Sequence, residues 1–256
     1  MSMMRVVLAV AKRTSLRTLR RPVLLTFSFV QPLMWLLFFG FLFRRFDISD
    51  SFPGLRYLDF LLPGVCVMTV LFGASQSGIG LIRDMNSGFF ERVLTTPNPP
   101  ALLLLGKVLA DALRLVLQAV IVLFLGALLG AEMVFAAGPL LLAFCLVFVF
   151  GFAFASLSCL VALRTRVQET MATFVHVINM PVLFTSTALV PAKDMPAWLA
   201  QLAGWNPLSH TVDILRAALL QGETASLMAT SLLLVGLAVV CFTAAAASNR
   251  LRLGFD

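Results

Sequence analysis

The chain has 256 residues, of which 60% are hydrophobic and only 12% charged, with a formal net charge of +7 and a mean hydropathy of +0.99. About a quarter of the residues of a soluble domain are charged, so this composition excludes an ordinary water-soluble protein. The apolar residues form continuous runs of about 20, which suit helices that cross a hydrocarbon core about 30 Å thick and exclude a transmembrane β-barrel.

Residues 1–21 predict an amphipathic helix that lies on a membrane surface. The apolar and small residues share one side of a helical wheel, and the basic residues spread over the other, the pattern of an interfacial helix against anionic lipid. A basic tail that only sets orientation is the alternative. No uninterrupted apolar core precedes the first span, so no cleavable signal peptide is expected. The apolar side comprises Met4, Val7, Leu8, Ala11, Ser15 and Leu19, and the basic side Arg5, Lys12, Arg13, Arg17, Arg20 and Arg21.

Six apolar runs predict six transmembrane helices within one domain over residues 1–256. The third run carries Lys107, Asp111 and Arg114 at spacings that allow pairing along one helical face, and we expect them at the cytoplasmic end of the helix. The cysteines all lie inside predicted spans, where packing residues are expected rather than disulfides. The spans are residues 22–43, 57–82, 101–130, 137–163, 167–189 and 225–247, and the cysteines are Cys66, Cys145, Cys159 and Cys241.

Loop charges predict the orientation of the chain. With the N-terminus inside, 14 lysines and arginines lie on the inner side and five on the outer side. The positive-inside rule therefore places both termini in the cytoplasm, which agrees with an even number of spans.

The inner segment over residues 83–97, here called the docking segment, is charged and partly apolar. It predicts a helix of two turns over residues 89–95 that begins after Gly88 and stops before Pro97. Two adjacent phenylalanines exceed what a simple connector needs, so we interpret it as a cytoplasmic element that receives force from another protein. Its candidate contact residues are Arg83, Asp84, Gly88, Phe89, Phe90, Glu91 and Arg92.

The outer segment over residues 190–223 predicts two short helices that dip into the outer leaflet before the last span. Pro196 suits the first turn of one helix, and Pro207 the first turn of the other, with Asn206 as its cap. Trp198 and Trp205 suit the headgroup level. We name Trp198, Trp205, Asn206 and Pro207 as candidates for an outer gate. A folded extracellular cap that rests on the bilayer is the alternative.

Several kinds of chemistry find no support in the sequence. No Gly-x-x-x-x-Gly-Lys-Ser/Thr phosphate loop occurs, so the chain is not expected to hydrolyse ATP by itself. His176 and His210 are the only histidines and fall on opposite predicted sides, which does not support a histidine-rich metal site. Ser209, His210 and Asp213 allow an intramembrane hydrolase as an alternative, but capping and loop hydrogen bonds explain them more simply.

The order of these features resembles the permease subunits of type-2 ABC exporters, a group that includes daunorubicin-type resistance permeases, nodulation-factor exporters and O-antigen or teichoic-acid exporters. Phe89 departs from the small or polar residue that many relatives carry before the glutamate, which bears on the detail of docking. The features are the basic N-terminal helix, Phe60-Leu-Leu-Pro-Gly64, the run from Gly88 to Pro97 followed by Leu103-Leu-Leu-Gly106-Lys107, and the outer run with Pro196, Trp198, Asn206-Pro207-Leu208, Asp213 and Arg216.

The resemblance implies two separate ATP-binding cassette ATPase subunits and a dimer of this chain with itself or a similar permease. The docking segment would be the coupling helix, with Phe89 and Phe90 as apolar anchors and Glu91 and Arg92 as rim charges. This chain would bind no cofactor, since ATP and Mg would lie on the ATPase. Its setting would be a bacterial cytoplasmic (inner) membrane, with lipid but no nucleic acid as a further partner.

The cargo is the least determined feature. Aromatic and methionine side chains in the spans suit a pliable route for an amphipathic molecule, and mixed outer charges favour a drug-like or lipid-like compound. A lipid-linked polysaccharide or glycolipid, and a purely structural membrane subunit, are alternatives. The candidate pathway residues are Gln31, Phe38, Met68, Gln76, Phe148, His176, Asn179 and Met180.

Overall fold

The computed structural model describes residues 3–19, 22–43, 54–89, 99–134, 136–221 and 228–253. All regular structure in these ranges is helical. The α-helices are α1 (Met3–Leu19), α2 (Pro22–Leu42), α3 (Tyr57–Asn86), α4 (Pro100–Leu128), α5 (Ala137–Thr165), α6 (Gln168–Phe184), α7 (Ala197–Trp205), α8 (Pro207–Arg216) and α9 (Met228–Leu253). A 3-10 turn over Ala192–Asp194 precedes α7, and a π-helical turn over Ala217–Gln221 follows α8.

Helix α3 lies at the centre of the fold. It contacts α2, α4, α5, α6 and α8, and most of its residues are buried. Small residues bring its neighbours close: a Cβ at Gly73 would lie 2.4 Å from Leu115 of α4, and one at Gly78 would lie 2.5 Å from a backbone oxygen of α5. Such small-residue contacts are typical of helices packed within a membrane.

Four described helices are long and apolar enough to cross a membrane: α3, α4, α5 and the stretch Ser231–Ser248 of α9. Helices α2 and α6 begin at or next to the residues where the predicted first and fifth spans begin. Among the side chains of α2 that the structure describes, Val30–Leu42 form an apolar stretch. Helix α6 has 17 residues, about 25 Å of helix. The predicted fifth span extends five residues further than α6, because the chain leaves the helix after Phe184 to contact α8.

The N-terminal helix α1 packs against the start of α4. Val6 and Val10 are buried with Leu103, and a Cβ at Gly106 would come within 2.7 Å of the Val7 carbonyl oxygen. The helix is therefore docked on the protein along one side. Met4 and Leu8 belong to the apolar side that is predicted to face lipid. Both are exposed, so they are free of the contact with α4 and can contact lipid.

The cysteines of the described chain are all free thiols. Cys66, Cys159 and Cys241 are buried and Cys145 is exposed. Three of the four therefore match the predicted packing role, and Cys145 does not.

Candidate functional site

A cavity with a volume of about 460 Å³, within the range of small-molecule sites, lies among the described helices. Its lining along α3 runs from Met68 to Asp84, about 24 Å of helix. Side chains from α1, α2, α4 and α6 complete it. The lining holds five basic side chains, Arg13, Arg17, Arg83, Lys107 and Arg114, but only two carboxylates, Asp84 and Asp111. The cavity therefore has an excess of positive charge.

One wall of the cavity is an ion-pair row on α4. The Lys107 ammonium lies 2.9 Å from one oxygen of Asp111, and the Arg114 guanidinium lies 3.9 Å from the other. Both cations thus share one carboxylate, at the helical spacing that the sequence predicts. A Cβ at Gly80 would lie 3.3 Å from the Lys107 nitrogen, so this glycine gives the ammonium room against α3.

Arg114 lies deeper in the helical bundle than the sequence analysis expects. It is the middle residue of α4, and its guanidinium donates to the backbone oxygen of Gly73 at 3.0 Å, close to the middle of α3. A second guanidinium nitrogen lies 3.4 Å from the Gln118 side-chain oxygen. The placement of this group at the helix end is therefore wrong for Arg114. An ionisable residue at such depth that faces a cavity is a functional candidate by default.

A second carboxylate joins α1 to the C-terminal end of α3. Asp84 accepts hydrogen bonds from the guanidinium groups of Arg13 and Arg17, with a distance of 3.3 Å to Arg13. Arg13 also stacks over the ring of Phe89, 3.4 Å from its centroid. Arg13 and Arg17 therefore face the protein, while Arg5 and Lys12 of the same helix are exposed.

The remaining cavity lining has no arginine, lysine or carboxylate side chain. Apolar side chains on α2, α3 and α6 contribute Pro32, Met68, Phe72, Val175 and Met180, and Gln31, Gln76 and His176 add polar groups. Five of the eight predicted pathway residues, namely Gln31, Met68, Gln76, His176 and Met180, thus line one cavity.

The other three predicted pathway residues lie elsewhere. Asn179 is buried and exchanges hydrogen bonds with Ser75, the interhelical role that such residues commonly have. Phe38 is exposed on α2, and Phe148 is half-buried and pairs with Phe152. The structure does not bring these three to the cavity.

The docking segment is described only in part. Arg83 and Asp84 belong to α3, Gly88 has a positive φ of 67°, and helical backbone resumes at Phe89. A glycine adopts this left-handed backbone without the penalty of a Cβ, which accounts for Gly88 at the turn. Phe90, Glu91 and Arg92 of the docking segment, and Arg20 and Arg21 of the N-terminal helix, lie outside the described residues.

Arg216 of α8, which is 4% exposed, holds together the end of the protein where α3 begins. Its guanidinium donates to the backbone oxygens of Phe60, Thr187 and Ala188, at 3.1, 2.7 and 3.2 Å, and pairs with Asp213 at 3.0 Å. It also stacks 3.6 Å above the Phe60 ring. This arginine therefore holds three parts of the chain together: the start of α3, the segment that follows α6, and helix α8.

The hydrogen bonds of this region do not form a catalytic triad. Ser209 accepts from the backbone nitrogen of Thr187, and Asp213 accepts from the Thr187 hydroxyl and from Arg216. Both residues are engaged in structural contacts with partners other than His210, which weighs against the hydrolase alternative.

The predicted gate candidates divide into two kinds. Asn206 caps α8, since its side chain accepts from the nitrogen of Leu208 at 2.9 Å, and Pro207 occupies the first turn, as the sequence predicts. Trp198 and Trp205 are 64% and 87% exposed. A function for the four as a gate stays a prediction.

A smaller ion-pair group precedes α3. Arg56 contacts Asp59 at 3.1 Å and Glu132 at 3.3 Å. The hydrogen bond that Arg56 donates to Asp59 raises the pKa of Arg56 above its ordinary value. Asp59 also accepts from the backbone nitrogen of Glu132, so this group ties the start of α3 to the connection between α4 and α5.

Comparison with known proteins gives consistent matches. The profile described as ABC-2 type transporter matches residues 5–220. A transport permease of Cyanophora paradoxa, ycf38, is 32% identical over 206 residues, covering 80% of this chain and 71% of the relative. The daunorubicin resistance ABC transporter permease protein DrrB1 of Streptomyces coeruleorubidus is 33% identical over 199 residues, covering 76% of this chain and 68% of that protein.

Proposed function

Because the chain belongs to the ABC-2 type transporter family as a multi-pass permease, we propose that it moves a hydrophobic or amphipathic compound out of the cytoplasm or the inner leaflet. Permeases of this family lack ATPase motifs of their own, and the family implies ABC ATPase partners. In this proposal two such ATPase subunits, which carry ATP and Mg, drive a dimer of this chain or a heterodimer with a similar permease.

The observation that carries the proposal is the contact of Arg13 with Asp84 and Phe89, here called the joint at Asp84. The docking segment begins at the end of α3, the helix that runs through the core of the protein, and Arg13 contacts both Asp84 and Phe89. A displacement of this segment would therefore act on α1 and α3 together. The cavity that lies between these helices would change with it.

The proposed motion is a switch between inward- and outward-facing arrangements, driven by closure of the ATPase subunits. Phe89 and Phe90 would enter a groove on each ATPase, and Glu91 and Arg92 would contact its rim. The short outer helices α7 and α8 would form the opposite end of the route, dipping into the outer leaflet. Six spans would place both termini in the cytoplasm of a bacterium, with the permease in its inner membrane.

The cavity also supports an amphipathic cargo. Its lining places methionine and phenylalanine side chains beside glutamines and basic groups, as at Met68, Phe72 and Gln76. A flexible apolar wall with a few polar groups suits molecules that carry both kinds of surface.

The test uses the chain reconstituted with its ATPase in vesicles, with ATP-dependent export of a fluorescent amphipathic dye as the readout. Alanine at Phe89, Phe90 and Glu91 together is expected to leave membrane insertion normal, weaken co-purification of the ATPase and abolish export. Leu202→Ala, an exposed apolar residue on α7, serves as the control and should retain export. Normal export by the triple variant would contradict the docking role.

A further inference from the structure

The cavity lining has more cationic side chains than carboxylates to pair with them. Asp84 is shared between Arg13 and Arg17, Asp111 is shared between Lys107 and Arg114, and Arg83 adds a fifth cation. Lys107 and Arg114 are mostly buried, whereas Arg13 and Arg17 are 34% and 41% exposed. Beside the low-dielectric protein, cations that outnumber their carboxylates attract an anion more strongly than they would in bulk water. The cavity therefore favours a negatively charged group.

Three of these cations, on α1 and α4, line one common space. Lys107 and Arg114 lie two turns apart on one face of α4, with side chains that are 7% and 18% exposed, and both lie near Asp111. Arg17 of α1 lines the same cavity. Guanidinium groups recognise phosphate and carboxylate through two parallel hydrogen bonds, and a lysine adds a point charge. Arg114 donates one nitrogen to the Gly73 oxygen and a second, at 3.4 Å, to the Gln118 oxygen, and these contacts hold its position.

The rest of the lining suits an apolar tail. Pro32 of α2, Phe72 of α3 and Met180 of α6 contribute apolar side chains to the same cavity. The lining runs along α3 from Asp84, which pairs with Arg13 and Arg17, past Gly73, which binds Arg114, to Met68, about 24 Å of helix. A molecule with an anionic head and a hydrocarbon tail would match both ends.

We propose that this cavity binds an amphiphile with a phosphate or carboxylate headgroup, held by Lys107, Arg114 and Arg17, with its apolar part against Phe72, Met68 and Met180. This inference rests on the proposed export function and narrows its cargo to anionic amphiphiles. It disfavours cationic drug-like molecules, which the same group of side chains would repel.

The experiment measures binding to the full chain in phosphatidylcholine nanodiscs, without ATPase or nucleotide. Fluorescent lysophosphatidic acid is the probe, and lysophosphatidylcholine with the same label is compared with it. We expect saturable binding of lysophosphatidic acid, at least about tenfold tighter than that of the zwitterionic lipid. Equal affinity for the two lipids would overturn the proposal.

A competition arm separates a lipid headgroup from free phosphate. Unlabelled lysophosphatidic acid should displace the probe at micromolar levels, while sodium phosphate should require far higher concentrations because it lacks the tail. Displacement by both at the same concentration would assign the site to soluble phosphate and overturn the amphiphile.

The variants test the named cations. Arg114→Gln leaves Asp111 paired with Lys107, and Lys107→Gln leaves it near Arg114, so neither change removes every cation from the carboxylate. Each should weaken binding about tenfold. Arg17→Gln alters a side chain that is 41% exposed and does not hold the core, so it stays informative if a buried variant fails to fold. Arg5→Gln with Lys12→Gln removes two exposed cations outside the cavity and should leave affinity unchanged.

The binding and export measurements can fail separately. ATP-driven export of a neutral compound with no binding of lysophosphatidic acid would overturn this inference and leave the proposed function in place. Specific binding with no export by a complex that hydrolyses ATP would support the site and count against the exporter. An equal loss of binding in the Arg5 and Lys12 control would show a general surface charge effect and overturn the site.

Discussion

The guanidinium of Arg13 lies 3.4 Å from the centroid of the Phe89 ring and 3.3 Å from a carboxylate oxygen of Asp84. One side chain of α1 thus contacts both the end of α3 and the start of the docking segment. A cation–π contact contributes about 0.5 to 2 kcal/mol, depending on its exposure to water. The contact is therefore weak enough to rearrange during a transport cycle.

The first prediction concerns this joint. Asp84→Asn removes the charge that Arg13 and Arg17 share, and the two arginines then repel each other on one face of α1. Because both arginines are more than a third exposed on average, we expect a loss of only about 1 kcal/mol in the free energy of unfolding. The larger effect should be on coupling: the ATPase activity of the complex should persist while export falls. ATPase activity and export are both measured on the reconstituted complex.

A double-mutant cycle separates this joint from a general charge effect. Asp84→Asn combined with Arg13→Gln should cost less than the sum of the two single changes, because each removes the same interaction. Asp84→Asn combined with Arg5→Gln should be additive, since Arg5 is exposed. Additivity for the Arg13 pair would show that the contact has no energetic role.

The second prediction concerns Gly64, near the start of α3. A Cβ there would lie 2.1 Å from the backbone oxygen of Ala188, a distance that no packing adjustment of a side chain can relieve. Gly64→Ala should therefore destabilise the protein by about 1 to 3 kcal/mol and lower the thermal midpoint in detergent. Gly204→Ala, with open space around its Cβ, is the matched control and should have no such effect. Similar midpoints for both variants would refute the close contact.

The sequence predicts much of the helical framework because continuous apolar runs report helix length directly. The helix caps were equally accessible: Asn206 before Pro207 has both the side chain and the position that a helix start requires. The departure of the chain from helix after Phe184 was not predictable from local pattern. It depends on Arg216, which is 32 residues further along and draws the carbonyl oxygens of Thr187 and Ala188 toward itself.

The third prediction tests that arginine. Arg216 satisfies three backbone oxygens and one carboxylate with a planar fork that lysine does not have. Arg216→Gln leaves buried acceptors without partners, so we expect a loss of about 3 to 5 kcal/mol and poor recovery of folded protein. Arg216→Lys should recover only part of this stability. Lys193→Gln, an exposed charge in the same outer segment, should stay within about 0.5 kcal/mol of the wild type, as measured by thermal unfolding.

The candidate site was only partly predictable for a related reason. The helical spacing of Lys107, Asp111 and Arg114 is visible in the sequence, and so is their pairing. That Arg114 reaches Gly73, and that Arg13 and Arg17 meet at Asp84, depends on how three helices pack, and no local pattern encodes it. The informative signal was the presence of three ionisable residues within an apolar run, which merited a place among the site candidates.

The fourth prediction concerns the orientation of the chain in the membrane, which the positive-inside rule assigns from loop charges. In a background with all four cysteines replaced, Asn86→Cys and Lys193→Cys place single thiols at exposed positions in the docking segment and in the outer segment. A membrane-impermeant maleimide applied to intact cells should label Cys at position 193 alone, and permeabilised cells should show labelling at both. Labelling of position 86 from outside would place the docking segment on the face where no cytoplasmic ATPase could reach it. The proposed coupling would then fail even if the cavity bound its amphiphile, since binding needs only the fold whereas transport also needs this orientation.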